Sequence, residues 1–166
     1  MSIEHISIDI EADGPHPLRY SMIQIGAVNC DTGEEFMSYL RPVSLCYLDS
    51  ALKVSGVTRE QSMNFKPPEE GMKAFDRWLS KTPSRKVAVV DNAFDWMFTC
   101  SYLAEYGESS ALGYSCLNLN SLYKGIKKNL RSNIRKIKTK QKHTHDALDD
   151  ARRNAEIFNM LREEIS

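Results

Sequence analysis

The stretch Ile6-Ser7-Ile8-Asp9-Ile10-Glu11-Ala12-Asp13-Gly14 sets three isoleucines in alternation with Ser7, Asp9 and Glu11. A period of two predicts a half-buried β-strand, and successive strand side chains point to opposite faces. Asp9 and Glu11 therefore project together from one face. Two carboxylates held side by side repel and raise each other's pKa unless a cation lies between them. The pair reads as one wall of a divalent-metal site.

Outward from this strand, Gly14-Pro15-His16-Pro17 is a turn, and Met22 to Cys30 alternates as a second strand. Asp31-Thr32-Gly33 predicts a tight hairpin and Glu35 to Leu40 a third strand, giving an antiparallel start. Thr58 is placed to cap a short helix. Pro67-Pro68 opens a helix from Glu69 to about Lys81, with Met72, Phe75, Trp78 and Leu79 as its apolar stripe. Lys86 to Val90 is an unbroken apolar run suited to a buried parallel strand. Helices are expected over Phe94–Tyr106, Leu117 to about Leu130, and Asp146–Glu164. The last carries Leu148, Ala151, Ala155, Phe158, Leu161 and Ile165 on one face. Strands followed by strand–helix alternation predict an α/β domain with a mixed central sheet flanked by helices.

The length of 166 residues predicts one domain over 1–166 with a core of its own. No apolar run nears the ~20 residues of a membrane span, and the start lacks a signal-peptide pattern. Cys30, Cys46, Cys100 and Cys116 form no CxxC pair. They read as free thiols of a reducing, cytoplasmic setting. The net charge is zero, yet nine of the 22 lysines and arginines lie between Lys124 and Lys142 with no acid among them. That segment reads as a loop, either a solvated one or a guide for a polyanion.

Two further walls complete the site. Asp95 follows the buried strand at the start of a helix, where open α/β sheets place their ligands. The competing reading makes Asp95 or Asp91 an N-cap. In His143-Thr144-His145-Asp146-Ala147-Leu148-Asp149-Asp150, His145 precedes the final helix and Asp150 lies in its second turn. That suits a metal ligand with a movable base beside it. Asp146 and Asp149 are acids favoured by the helix dipole.

Together these residues resemble the DEDDh superfamily of 3′–5′ exonucleases, with their ribonuclease H-like fold. Asp9 and Glu11 match the Asp-x-Glu motif, Phe94-Asp95 the second motif, and His145 with Asp150 the third, in the family's order. The runs Asp9-Ile-Glu-Ala-Asp-Gly-Pro15 and Tyr20-Ser-Met-Ile-Gln-Ile-Gly-Ala-Val28 look like a compact branch of bacterial and phage exoribonucleases, typified by mycobacterial exoribonuclease AS. The resemblance implies a sheet of about five strands, two Mg²⁺ or Mn²⁺ ions held by Asp9, Glu11, Asp95 and Asp150, and His145 as base. It also implies single-stranded RNA as substrate, 5′-monophosphates as products, and often a homodimer. Single-stranded DNA is the alternative, since no motif senses a 2′-hydroxyl. Ala12 and Gly14 are expected at the terminal sugar, and Met22 and Phe94 are candidates for packing on its base. His5, His16 and His143 read as bystanders, and Trp78 and Trp96 as core.

Overall fold

The structure, a computed structural model, describes residues 2–108 and 111–165. Strand β1 (Ile3–Ala12) runs antiparallel to β2 (Met22–Asn29), which pairs antiparallel with β3 (Glu35–Tyr39). On its other side β1 pairs in parallel with β4 (Arg85–Val90), and β4 with β5 (Cys116–Asn118). The five-stranded order is β3-β2-β1-β4-β5, the mixed sheet expected. Helices α1 (Asp49–Val54), α2 (Arg59–Met63), α3 (Pro68–Leu79), α4 (Ala93–Tyr106), α5 (Leu119–Ile126) and α6 (Ala147–Glu163) flank it.

Two cores form, one on each face. Ile6, Ile8 and Ile10 pack with Phe75 and Met72 of α3 and with Phe98 and Tyr102 of α4. Val28 and Val89 pack with Ile157, Phe158 and Leu161 of α6 and with Leu119 of α5. Strand β1 is thus covered on both sides rather than half-buried as its alternation predicts. Its polar face lies under α6, where the Ser7 hydroxyl donates to the Ala151 carbonyl at 2.8 Å.

Local chemistry explains most boundaries. Gly33, with φ 79°, turns the β2–β3 hairpin. Thr58 and Gln61 form a reciprocal capping box at α2. Pro68 sits in the first turn of α3. Three expectations shift. The helix foreseen from Leu117 starts two residues later, because Cys116–Asn118 adds an edge strand to β4. Asn118 then caps α5 by accepting from the Ser121 N–H. Ile165 lies beyond α6 and is exposed, not part of its apolar face. Within the segment read as a basic loop, Ile134–Lys136 forms a single 3-10 turn. No described helix is long and apolar enough to cross a membrane.

Candidate active site

Three elements converge at one end of the sheet. Strand β1 supplies Asp9 and Glu11, which pair in register with Gly26 and Gln24 of β2. Gly26 has no side chain to hold α6 away, so the Ala147 backbone comes down on it. Gln24, buried in β2, accepts from the Ala147 N–H at 3.2 Å. Asp146 caps α6 by accepting from the Leu148 and Asp149 N–H groups. The helix start is thereby fixed over β1, and Asp150, in its first turn rather than the second as expected, lies with Asp9 and Glu11.

The N-cap of α4 is Asn92, whose side chain accepts from the Phe94 N–H at 2.7 Å. Neither Asp91 nor Asp95 serves as the cap, which disposes of the competing reading. Asp95 is only 2% exposed, and its Oδ2 is buried with no hydrogen-bond donor among the described residues. Its Oδ1 takes one long bond from the Ile10 N–H at 3.4 Å.

The carboxylates fall into two overlapping trios whose ligand atoms lie within 4.8 Å of one another: Asp9 with Glu11 and Asp150, and Asp9 with Asp91 and Asp95. Asp9 belongs to both. Asp91, read from the sequence only as a possible cap, is a fifth carboxylate at the site. Burial pushes the Asp9 carboxyl well above the usual range, and Asp95, Asp150, Asp91 and Glu11 push it further. Burial, then Asp150 and Asp146, raises Glu11 to about 8. Asp95 is raised by burial and by Asp91. The hard oxygens of the two trios, one of them buried without a donor, suit Mg²⁺ or Mn²⁺, and His143 and His145 form a third group of possible ligands with Asp150. A bound cation would also offset the repulsion among these carboxylates.

Both histidines of the third motif reach the site. His145 has φ 60°, a left-handed conformation, and its Nδ1 stands 3.9 Å from Glu11 Oε1. Its side chain is nearly half exposed. His143, expected as a bystander, contacts Asp150 directly, with Nδ1 2.6 Å from Oδ2. The two rings lie 4.3 Å apart. Sequence spacing alone did not reveal this because the loop doubles back on Asp150, which also accepts from the Thr144 and His145 N–H groups. His5 and His16 lie elsewhere, against Phe158 and Tyr20. Trp78 belongs to the core and Trp96 packs against it.

Beside the carboxylates opens a nearly apolar pocket of about 450 Å³, walled by Ala12, Gly14 and Pro15, by Leu48, Ala51 and Val54 around α1, and by Phe94. Glu11 and Phe94 line both this pocket and the carboxylate cleft, so the two lie side by side. Ala12, Gly14 and Phe94, expected at the terminal nucleotide, all line this pocket. Met22 does not. It is fully buried in the core, its N–H donating to the Tyr102 hydroxyl, and it lines neither cavity. Helix α1, absent from the sequence reading, lines the pocket instead through Ala51 and Val54.

The Exonuclease family model (RNase T) matches residues 6–158. This chain belongs to that exonuclease family. It is a DEDDh-type 3′–5′ exonuclease, a phosphodiester hydrolase. An Escherichia coli protein named 3′-5′ DNA exonuclease Cap18 is 32% identical over 168 residues, spanning 94% of this exonuclease and 90% of its own length. The solved nuclease domain of 3′hExo, a DEDDh family member bound to rAMP, superposes with a TM-score of 0.71 at 18% identity. That match covers 97% of this chain and 92% of the other. Escherichia coli Exonuclease I in complex with a dT13 oligonucleotide gives 0.72 at 15% identity, over 98% of this chain and 41% of its own. These two likenesses show the exonuclease's fold, which is ribonuclease H-like.

Proposed function

We propose that this exonuclease binds the 3′-terminal nucleotide of a single strand in the apolar pocket and hydrolyses the adjacent phosphodiester, releasing a nucleoside 5′-monophosphate. The observation that carries this reading is the pair of carboxylate trios sharing Asp9, with Glu11 of one trio also lining the neighbouring pocket of about 450 Å³. Asp9, Glu11, Asp95 and Asp150 would hold two divalent cations, Mg²⁺ or Mn²⁺, with Asp91 beside them. Such ions, when bound, make water a stronger nucleophile and offset charge on the phosphate and on the leaving oxygen.

The chain's own groups do the rest. Phe94 and the α1 wall sandwich the terminal base and exclude water from it. The backbone from Ala12 to Gly14 meets the sugar. His145, half exposed at the rim, takes the proton of the attacking water at a ring nitrogen. His143 orients the Asp150 carboxylate from the other side.

The polar groups nearest the sugar are already used within the fold. The Asp13 N–H donates to the Ser21 carbonyl, the Asp13 carbonyl accepts from the Leu48 N–H, and the Asp13 carboxylate takes Ser21 and Arg59. With its polar groups spent in this way, Asp13 has none spare for a 2′-hydroxyl. This, with the DNA-directed name of the 32%-identical relative, supports single-stranded DNA. Single-stranded RNA is the second reading, supported by the exoribonuclease-like runs Asp9–Pro15 and Tyr20–Val28.

The test is end-labelled single-stranded DNA beside RNA of the same sequence, with Mg²⁺ or Mn²⁺. Stepwise shortening from the 3′ end is expected, at least as fast on DNA. Strong preference for RNA would install the second reading, and internal cutting would sink both.

A further inference from the structure

The cleft over the carboxylates, about 170 Å³, has Arg135 as its one lysine or arginine among the described lining residues. The same side chain borders the narrower crevice behind Asp9 and Asp150. Arg135 comes from the basic run, yet it is not loosely placed. It lies in the 3-10 turn Ile134–Lys136, whose first residue is fully buried in the α6-side core. Asn133 caps the turn by accepting from the Arg135 N–H at 2.9 Å.

Two braces fasten that turn to the catalytic elements. The Asn120 side chain accepts from the Ile134 N–H at 3.2 Å and donates to the Asp91 carbonyl at 3.2 Å. Arg153 of α6 donates to the Ile134 carbonyl at 3.4 Å. One brace thus ends on Asp91 of the site, and the other starts one helical turn beyond Asp150. Arg135 itself makes no ion pair among the described residues, although it stands over a cluster of carboxylates. A guanidinium anchored at its base and unspent at its tip is a fork for a phosphate.

We propose that Arg135 is the phosphate-gripping residue of this exonuclease, contacting the scissile phosphate and then the 5′-phosphate of the released nucleotide. The proposal rests on the exonuclease reading above and assigns one residue of the basic run to the reaction. Lys127, by contrast, pairs with Glu164 at 2.8 Å, and Lys136 is exposed and lines neither cavity.

The test compares wild type with Arg135→Gln, Arg135→Lys and, as the charge-matched control, Lys136→Gln. Hydrolysis of a short single-stranded oligonucleotide is measured, together with binding of adenosine 5′-monophosphate and of adenosine by calorimetry. Arg135→Gln should lower kcat/KM by about 10- to 100-fold and weaken monophosphate binding similarly, while adenosine binding stays unchanged. Arg135→Lys should recover part of both losses, and Lys136→Gln should match wild type. If wild type shortens the strand and Arg135→Gln does so equally fast, the inference falls and the exonuclease reading stands. Equal loss of adenosine and monophosphate binding would also overturn it, since the effect would then be on the pocket. A wild-type protein that leaves both DNA and RNA intact would remove the reading and the inference together.

Discussion

Gly26 and Ala147 touch backbone to backbone: a Cβ on Gly26 would fall 2.3 Å from the Ala147 carbonyl carbon and 2.4 Å from its oxygen. Gly26 is also the register partner of Asp9. The place where the final helix lands is thus set by an absent side chain directly beside the shared carboxylate.

Gly26→Ala should therefore displace the start of α6, because backbone cannot yield as a flexible side chain would. We expect a loss of about 1–3 kcal/mol of stability, with a disproportionate fall in activity as Asp150 moves off Asp9. Urea denaturation and single-strand hydrolysis, measured on the same preparation, check this. A variant with normal activity would mean the contact does not position the helix.

Arg59 ties the pocket wall to the first motif. Its Nη1 meets Asp13 Oδ2 at 2.7 Å, its Nη2 donates to the Ser44 carbonyl, and its guanidinium lies 4.9 Å from the Tyr47 ring centre. Asp13 is fully buried. Arg59→Met would strand that carboxylate, at a cost of about 3–5 kcal/mol. Arg59→Met combined with Asp13→Asn should recover much of that stability, yet KM should stay raised because the loop leading to α1 has lost its tie. Additive losses in the double variant would show that the two residues act separately.

Asp9→Asn separates stability from activity. The neutral amide relieves the repulsion among buried carboxylates, so the metal-free protein should gain about 1–3 kcal/mol. The rise in Tm that Mn²⁺ gives wild type should shrink sharply, and hydrolysis should fall by orders of magnitude. Thermal denaturation with and without Mn²⁺ reads both effects. An Asp9→Asn protein that Mn²⁺ stabilises as much as wild type would remove Asp9 from the metal site.

At the opposite end of the sheet, Glu4 accepts from Thr82 and Asn29 at 2.8 Å and pairs with the buried Lys86 at 3.3 Å. Hydrogen bonding by Ser84 foremost, then by Thr82, Lys86 and Asn29, lowers Glu4 from 4.5 to about 2. A carboxyl depressed in the folded state stabilises fully above its unfolded pKa, and that stabilisation is lost as pH falls through the folded value. Wild type should exceed Glu4→Gln by on the order of 2 kcal/mol near neutral pH. The gap should narrow from about pH 4.5 toward 2, following the two values of this carboxyl. The raised carboxylates of the active site act with the opposite sign in both proteins and cancel in the difference. A gap independent of pH would mean that packing, not charge, is lost.

The sequence made the framework legible where one physical signal dominated. The alternation of Ile6, Ile8 and Ile10 located β1, and the carboxylate pair on its other face located the site. Positions decided by long-range packing were hidden. Met22 looks like a base-stacking side chain but is drawn into the core between β1 and α4. Cys116–Asn118 is too short to carry a period, so its pairing with β4 left no mark on the pattern. His143 and His145 differ by two positions, and only the loop's fold onto Asp150 shows that both arrive. Arg135 is one cation among nine in a row until the burial of Ile134 singles it out.

The covered, central placement of β1 has a consequence for when this protein becomes able to cut. The hydroxyl of Ser7 meets the carbonyl of Ala151 across 144 positions of chain, and the trio of Asp9, Glu11 and Asp150 joins the same two distant segments. Such long-range closure is slow to form and is completed late in folding. Until α6 docks, Asp150 stands apart from Asp9 and Glu11, and that trio does not exist.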